Sequence, residues 1–185
     1  MVNVLSLATA AAAASIAIVD HTQNFAVDLI DIQCDAFTAV QHFAYHKTPA
    51  QVWRLNAVNG TQNQFKVISE LISLLNDGFD NFKQIQHVQC GSTLSWAGST
   101  SGAIAQRSQT VARYGADTAF TITPVNASSP TGPFRFTETL SGTALNAWEH
   151  DSTQDTNSGP ITFERSRDAD PRQMFYFTTP GTSPL

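Results

Sequence analysis

Between residues 24 and 47 the apolar side chains Phe25, Leu29, Ile32, Ala36, Val40 and Phe43 recur at intervals of three and four, with Ile30, Cys34 and Phe37 widening the stripe. That spacing matches the helical period and predicts a core-facing amphipathic helix. Thr48-Pro49 ends it, because the residue before a proline avoids the helical region. Pro49 also suits the first turn of a short helix running through Trp53 and Leu55. Asn59-Gly60 marks a turn, after which Phe65, Ile68, Leu71, Ile72, Leu75, Phe79, Phe82 and Ile85 line one face of a helix predicted over residues 62–87. Asn76-Asp77-Gly78 would weaken that helix, since glycine costs about 1 kcal/mol relative to alanine in a helix interior.

Residues 1–19 carry no charged side chain. A signal peptide is one reading of such a run, but no Lys or Arg precedes the apolar stretch. A membrane span needs about 20 strongly apolar residues, and here Ala, Ser and Thr supply much of the length. The composition favours a buried helix, covered on several sides by its own neighbours or by another subunit. Val2, Val4, Leu5, Leu7, Ile16, Ile18 and Val19 would form its seam.

After Cys90 the texture changes to short β-branched and aromatic runs punctuated by Gly, Ser, Thr and Pro. Strands are predicted over residues 92–97, 118–125, 134–140, 161–165 and 174–179, with a further one around 144–149. Residues 103–114 fit helix or strand equally. The expected fold is therefore α+β: an N-terminal helical region of about three helices over residues 1–90, then a β-rich half over 91–185 forming an antiparallel sheet or small sandwich. At 185 residues the two regions fit one compact domain. No internal repeat is visible in the sequence.

Charged residues make up 14% of the chain, against about 25% in an average protein. Ser, Thr, Asn, Gln and Gly fill the deficit, as expected of an extracellular protein or of a subunit covered by copies of itself. The net charge of −5 gives no strong nucleic-acid footprint; the groupings Arg107/Arg113 and Arg165/Arg167/Arg172 could touch phosphate, but each is interleaved with acids or small polar residues. Cys34 and Cys90 allow at most one intramolecular disulfide, which would tie the helical region to the start of the second half.

The chemistry on offer is sparse. His42 and His46 lie at i, i+4, a spacing that on a helix places two imidazoles on one metal, with Asp35 as a third ligand. The opposing reading, a solvated helix face, weighs more. Trp148, beside His150 and Asp151 on a polar loop, could stack a sugar or a lipid headgroup. Neither Gly91-Ser92 nor Ser99 sits in a nucleophile elbow, and no phosphate loop or cofactor motif is present. These features predict a non-enzymatic, self-assembling structural subunit of a filament, shell or virion-like coat, a homo-oligomer within an extracellular particle. Two alternatives stand beside it: a membrane-active or pore-forming protein that releases its N-terminal helix onto lipid, and a small-ligand or metal-binding module.

Overall fold

The computed structural model describes residues 15–57, 83–97, 108–115, 118–129, 131–148 and 157–181. Within them the chain forms twelve β-strands and three short 3-10 turns, with no α-helix. The strands are β1 (Ser15–Asp20), β2 (Phe25–Leu29), β3 (Thr38–Ala44), β4 (Trp53–Ala57), β5 (Lys83–His87), β6 (Thr93–Trp96), β7 (Ser108–Arg113), β8 (Phe120–Pro124), β9 (Phe134–Glu138), β10 (Thr143–Ala147), β11 (Ser158–Arg165) and β12 (Phe175–Thr178).

Pairing is antiparallel throughout and follows a threefold plan. β1, β4, β5, β8, β9 and β12 join in a ring, closed where Ala17 to Asp20 face Thr178 to Phe175. Closure removes the free edges that an open sheet would leave unpaired. The hairpins β2–β3, β6–β7 and β10–β11 form a cap. β3, β7 and β11 also pair with one another around a triangle. The chain is thus three successive four-strand repeats, β1–β4, β5–β8 and β9–β12.

The core repeats with the strands. Trp53, Phe120 and Phe175 open the fourth strand of each repeat, and Ile18, Ile85 and Phe136 lie two residues before the end of each first strand. All six are buried. Phe136 meets Phe175 edge-on at 5.5 Å between centroids, and the Trp53 indole donates to the Val27 carbonyl at 2.9 Å.

The N-terminal helices of the α+β expectation are therefore corrected to strands. The reason lies in the spacing itself: Phe25 to Leu29 and Ile32 to Ala36 to Val40 are steps of four, which share a face in a strand as well as in a helix. Tertiary pairing decided the outcome, and the alternating burial of Thr38, Val40 and His42 against Ala39 and Gln41 is the period-two signature of β3. The short helix through Trp53 and Leu55 is likewise β4, and the predicted helix over 62–87 ends in β5. Residues 58–82 lie outside the described residues. Of the proposed seam, Ile16, Ile18 and Val19 are interior residues of β1, whereas Val2, Val4, Leu5 and Leu7 lie outside the described residues. Among the described residues no helix is long and apolar enough to cross a membrane.

Candidate functional site

Two buried polar positions recur in the repeats and hold the surface loops. The first ends each opening strand: Asp20, His87 and Glu138. The Asp20 carboxylate accepts from Thr22 Oγ1 and from the Phe25 amide, Glu138 Oε2 accepts from the amides of Leu140 and Ser141, and His87 Nδ1 accepts from the Cys90 amide. With Nδ1 an acceptor, the His87 proton sits on Nε2 and is donated to the Pro49 carbonyl at 3.1 Å. This is the neutral ring, and burial, which outweighs the carbonyl contacts, lowers the His87 pKa from its ordinary value of 6.5. For Asp20, burial would raise the carboxyl, but hydrogen bonds from His42 and Thr22 and the His42 charge outweigh it and hold the pKa below 3.8.

The second position is a buried glutamine inside a repeated segment, Pro49-Ala50-Gln51-Val52-Trp53 and Pro171-Arg172-Gln173-Met174-Phe175. Gln51 Oε1 accepts from the His46 and Lys47 amides at 3.0 Å while its Nε2 donates to the Ala44 carbonyl at 2.8 Å. Gln173 Oε1 accepts from the Arg167 amide and its Nε2 donates to the Arg165 carbonyl, both at 2.9 Å. Each amide satisfies the backbone of the loop between the third and fourth strands, which the sheet leaves unpaired. In the second repeat the corresponding residue is Thr118, paired with Ser95 at 2.6 Å.

On this scaffold the most unusual surface is the loop between β2 and β3. It contains three non-glycine residues with left-handed backbone, Asp31 (φ 51), Ile32 (φ 53) and Phe37 (φ 69). Such residues cost of order 1–3 kcal/mol each and persist only where the surroundings enforce them. Here the enforcement is visible. A Cys34–Cys90 disulfide ties the loop to the second repeat, Tyr114 Oη donates to the Cys34 carbonyl at 2.7 Å, and the Phe37 amide donates to the Ala112 carbonyl at 2.9 Å. The loop sits at the junction of repeats because Thr38 pairs with Ala112 in the cap.

What the loop displays is aromatic. Phe37 is 54% exposed and Tyr114 51% exposed, and the Arg113 guanidinium lies 4.9 Å from the Phe37 ring centroid. A large exposed ring on strained, cross-linked backbone is a rigid platform with the Arg113 guanidinium over one face and the other face apolar. Sequence reasoning hides it, since helical spacing places Phe37 on a core stripe. The available signal was Arg113-Tyr114-Gly115, a turn carrying an aromatic and a cation at the end of a strand-like run.

The candidate metal ligands are not brought together. His42 is buried on β3, where it meets the Phe25 ring at 4.9 Å and has Nε2 3.5 Å from Asp20. His46 is exposed in the following loop with its ring 5.7 Å from Phe43, and Asp35 is exposed in the β2–β3 loop. Because residues 38–44 form a strand and not a helix, the i, i+4 logic for His42 and His46 lapses. Among the described residues no group of three His, Cys, Asp or Glu side chains could hold a metal ion.

Trp148 follows β10 and is half-buried. Its Nε1 donates to Thr162 Oγ1 at 2.8 Å, and the Arg172 guanidinium lies 4.7 Å from its ring. His150 and Asp151 lie outside the described residues. The disulfide is compatible with a secreted or extracellular protein, because such bonds persist in oxidising compartments.

No protein-family model matches the sequence, and no curated protein sequence matches it. Solved structures do share its architecture. The Rhizoctonia solani agglutinin superposes with a TM-score of 0.62 at 17% identity, covering 92% of this chain and 98% of that one. The Macrolepiota procera ricin B-like lectin, solved in complex with lactose, gives 0.60 at 14% identity, covering 93% and 99%. A chain of the Haemophilus ducreyi cytolethal distending toxin gives 0.60 at 9% identity, covering 91% and 84%. At these identities the likeness concerns the fold, which is the β-trefoil: three four-strand repeats closed into one barrel. It replaces the α+β class and gives no support to a capsid or filament.

Proposed function

We propose that this protein is a carbohydrate-binding module that stacks a neutral sugar on the face of the Phe37 ring that the Arg113 guanidinium does not cover. The observation that carries this reading is Phe37 itself, an exposed ring held on left-handed backbone by a disulfide and two hydrogen bonds. Sugar rings present C–H faces that pack on aromatic faces, and a pre-formed platform avoids the entropy of ordering a loop on binding. The charge-poor surface, rich in Ser, Thr, Asn and Gln, suits a polyol better than an ionic partner. Agglutinin and lactose-bound lectin neighbours agree with this reading, although a shared fold does not by itself assign function.

The test is a glycan-array screen followed by calorimetry on the best neutral ligand, with wild type and Phe37→Gly. Glycine suits a positive φ, so the variant keeps the loop while removing the ring. Affinity is expected to fall at least about tenfold, equivalent to about 1.4 kcal/mol, with an unchanged or slightly raised melting temperature. An array with no neutral ligand, or a variant that binds as wild type does, overturns the proposal.

A further inference from the structure

The β2–β3 loop is anchored differently at its two ends. At the far end the Phe37 amide and Thr38 are held on β7 through Ala112. The near end is a tight turn, closed by the Gln33 amide on the Ile30 carbonyl at 3.0 Å, in which Asp31 and Ile32 are both left-handed. Ile32 is the more strained of the two, because a β-branched side chain crowds its own backbone at positive φ. Both disulfide sulfurs lie against the Ile32 carbonyl oxygen, Cys34 Sγ at 3.6 Å and Cys90 Sγ at 3.9 Å. The covalent bond therefore bears directly on the strained turn.

The exposed ring depends on the same bond. Asp35 follows Cys34, and its carbonyl accepts from the Thr38 amide at 3.4 Å and from Thr38 Oγ1 at 2.9 Å. That second turn encloses Phe37, at φ 69. With Cys34 untethered, the Ile30–Gln33 turn is free to relax, Asp35 is carried away from Thr38, and Phe37 loses the turn that sets the hand of its backbone. The Tyr114 hydroxyl on the Cys34 carbonyl is a weaker tie, since Tyr114 is exposed and water competes for that carbonyl. The bond is also within reach of a reductant: Cys34 is exposed, whereas Cys90 is half-buried against the core. Exposed disulfides are the labile ones.

We infer that the Cys34–Cys90 disulfide is a redox switch on the Phe37 site: a dithiol opens it, the loop relaxes and sugar affinity falls. This deepens the carbohydrate-binding reading and rests on it. One thiolate of the dithiol attacks Cys34 Sγ, the Sγ–Sγ bond breaks, and its electron pair leaves on Cys90, which takes a proton. The second thiolate attacks the mixed disulfide and releases Cys34, which takes the other proton, so the protein is reduced and the dithiol becomes a disulfide.

The full chain is compared with and without dithiothreitol, thiol titration confirming that both cysteines are free in the reduced form. Calorimetry with the highest-ranked neutral glycan of the array reads affinity, and amide hydrogen exchange reads the loop. On reduction the strands should keep their protection, the amides of residues 31–36 should exchange faster, and affinity should fall at least about fivefold, returning on reoxidation. Coupling is reciprocal, so saturating glycan should make the disulfide harder to reduce by the same factor. Cys34→Ser combined with Cys90→Ser should bind as the reduced protein does. Equal affinity in the two redox states, or unchanged exchange over residues 31–36, overturns the switch and leaves the carbohydrate reading intact. Strand protection lost throughout on reduction also overturns it, because the bond would then staple the whole fold. An oxidised protein that binds no neutral glycan fails the carbohydrate reading and the switch together.

Discussion

In the first repeat Gln51 binds the backbone of residues 44, 46 and 47, and in the third Gln173 binds that of residues 165 and 167. In the second repeat the same place is held by Thr118 against Ser95, two hydroxyls in place of one long amide. The first and third repeats therefore share a solution that the second has reduced. Between Pro and Gln, however, they differ: Ala50 is buried and inert, whereas Arg172 reaches the surface and lies on Trp148. The buried tie belongs to the fold, and the residue beside it is free to become a surface device.

Replacing the ties one at a time should break this comparison into unequal parts. Gln51→Leu strands two amides and a carbonyl and also removes a hydrogen bond to the Asp28 carboxyl, Gln173→Leu strands one amide and one carbonyl, and Thr118→Val leaves one hydroxyl unpaired. An unsatisfied buried polar group costs about 1–3 kcal/mol, so losses of roughly 3, 2 and 1 kcal/mol in that order are expected from urea unfolding. Equal losses would mean that the repeats do not differ in how their loops are held.

The turn-capping residues sharpen the comparison through pH. The folded His87 pKa is below 6.5, so the neutral ring's contribution is complete above 6.5 and is lost as pH falls below that value toward the folded pKa. Asp20 acts in a different window: its folded pKa is below 3.8, so its contribution is present above 3.8 and disappears only as pH falls through the folded value. Denaturation at fixed pH steps should show stability declining below pH 6.5 in wild type and a flatter profile in His87→Gln. An unchanged profile would remove His87 from the account.

The smallest effect concerns Asp28, buried on β2 where Asn146 stands in the third repeat. Burial raises its carboxyl above 3.8, opposed by hydrogen bonds from Gln41 and Gln51, with Asp31 adding to the rise and His46 opposing it. A raised carboxyl favours folding below 3.8 and loses that contribution as pH rises through the folded value. Asp28→Asn should therefore raise the melting temperature at pH 7, with the gain vanishing toward pH 3. A loss at pH 7 would show that the carboxylate charge itself is needed.

Parts of this arrangement were legible in the sequence. The strands after Cys90 fall close to the aromatic and β-branched runs; Trp53-Arg54-Leu55-Asn56, read as a short helix, instead alternates in burial as its apolar and polar residues alternate. What misled was arithmetic: a step of four serves both periods, so residues 24–47 looked helical until long-range pairing chose the strand. The repeat was hidden because only the Pro-x-Gln-x-aromatic segment survives in two of three copies, while the capping positions hold Asp, His and Glu. Trp148 stood out as a rare residue beside polar ones. Phe37 did not, because its exposure depends on the hand of its backbone, which no side-chain pattern encodes.

The disulfide joins a loop of the first repeat to the turn between β5 and β6 in the second, 56 residues further along the chain. A single peptide-bond cleavage anywhere between Cys34 and Cys90 therefore leaves two pieces covalently joined, and the Phe37 platform with its partners Arg113 and Tyr114 stays on one molecule. Cleavage beyond Cys90 has no such protection, so a protease could nick the first stretch of chain without releasing a fragment until a reductant was added.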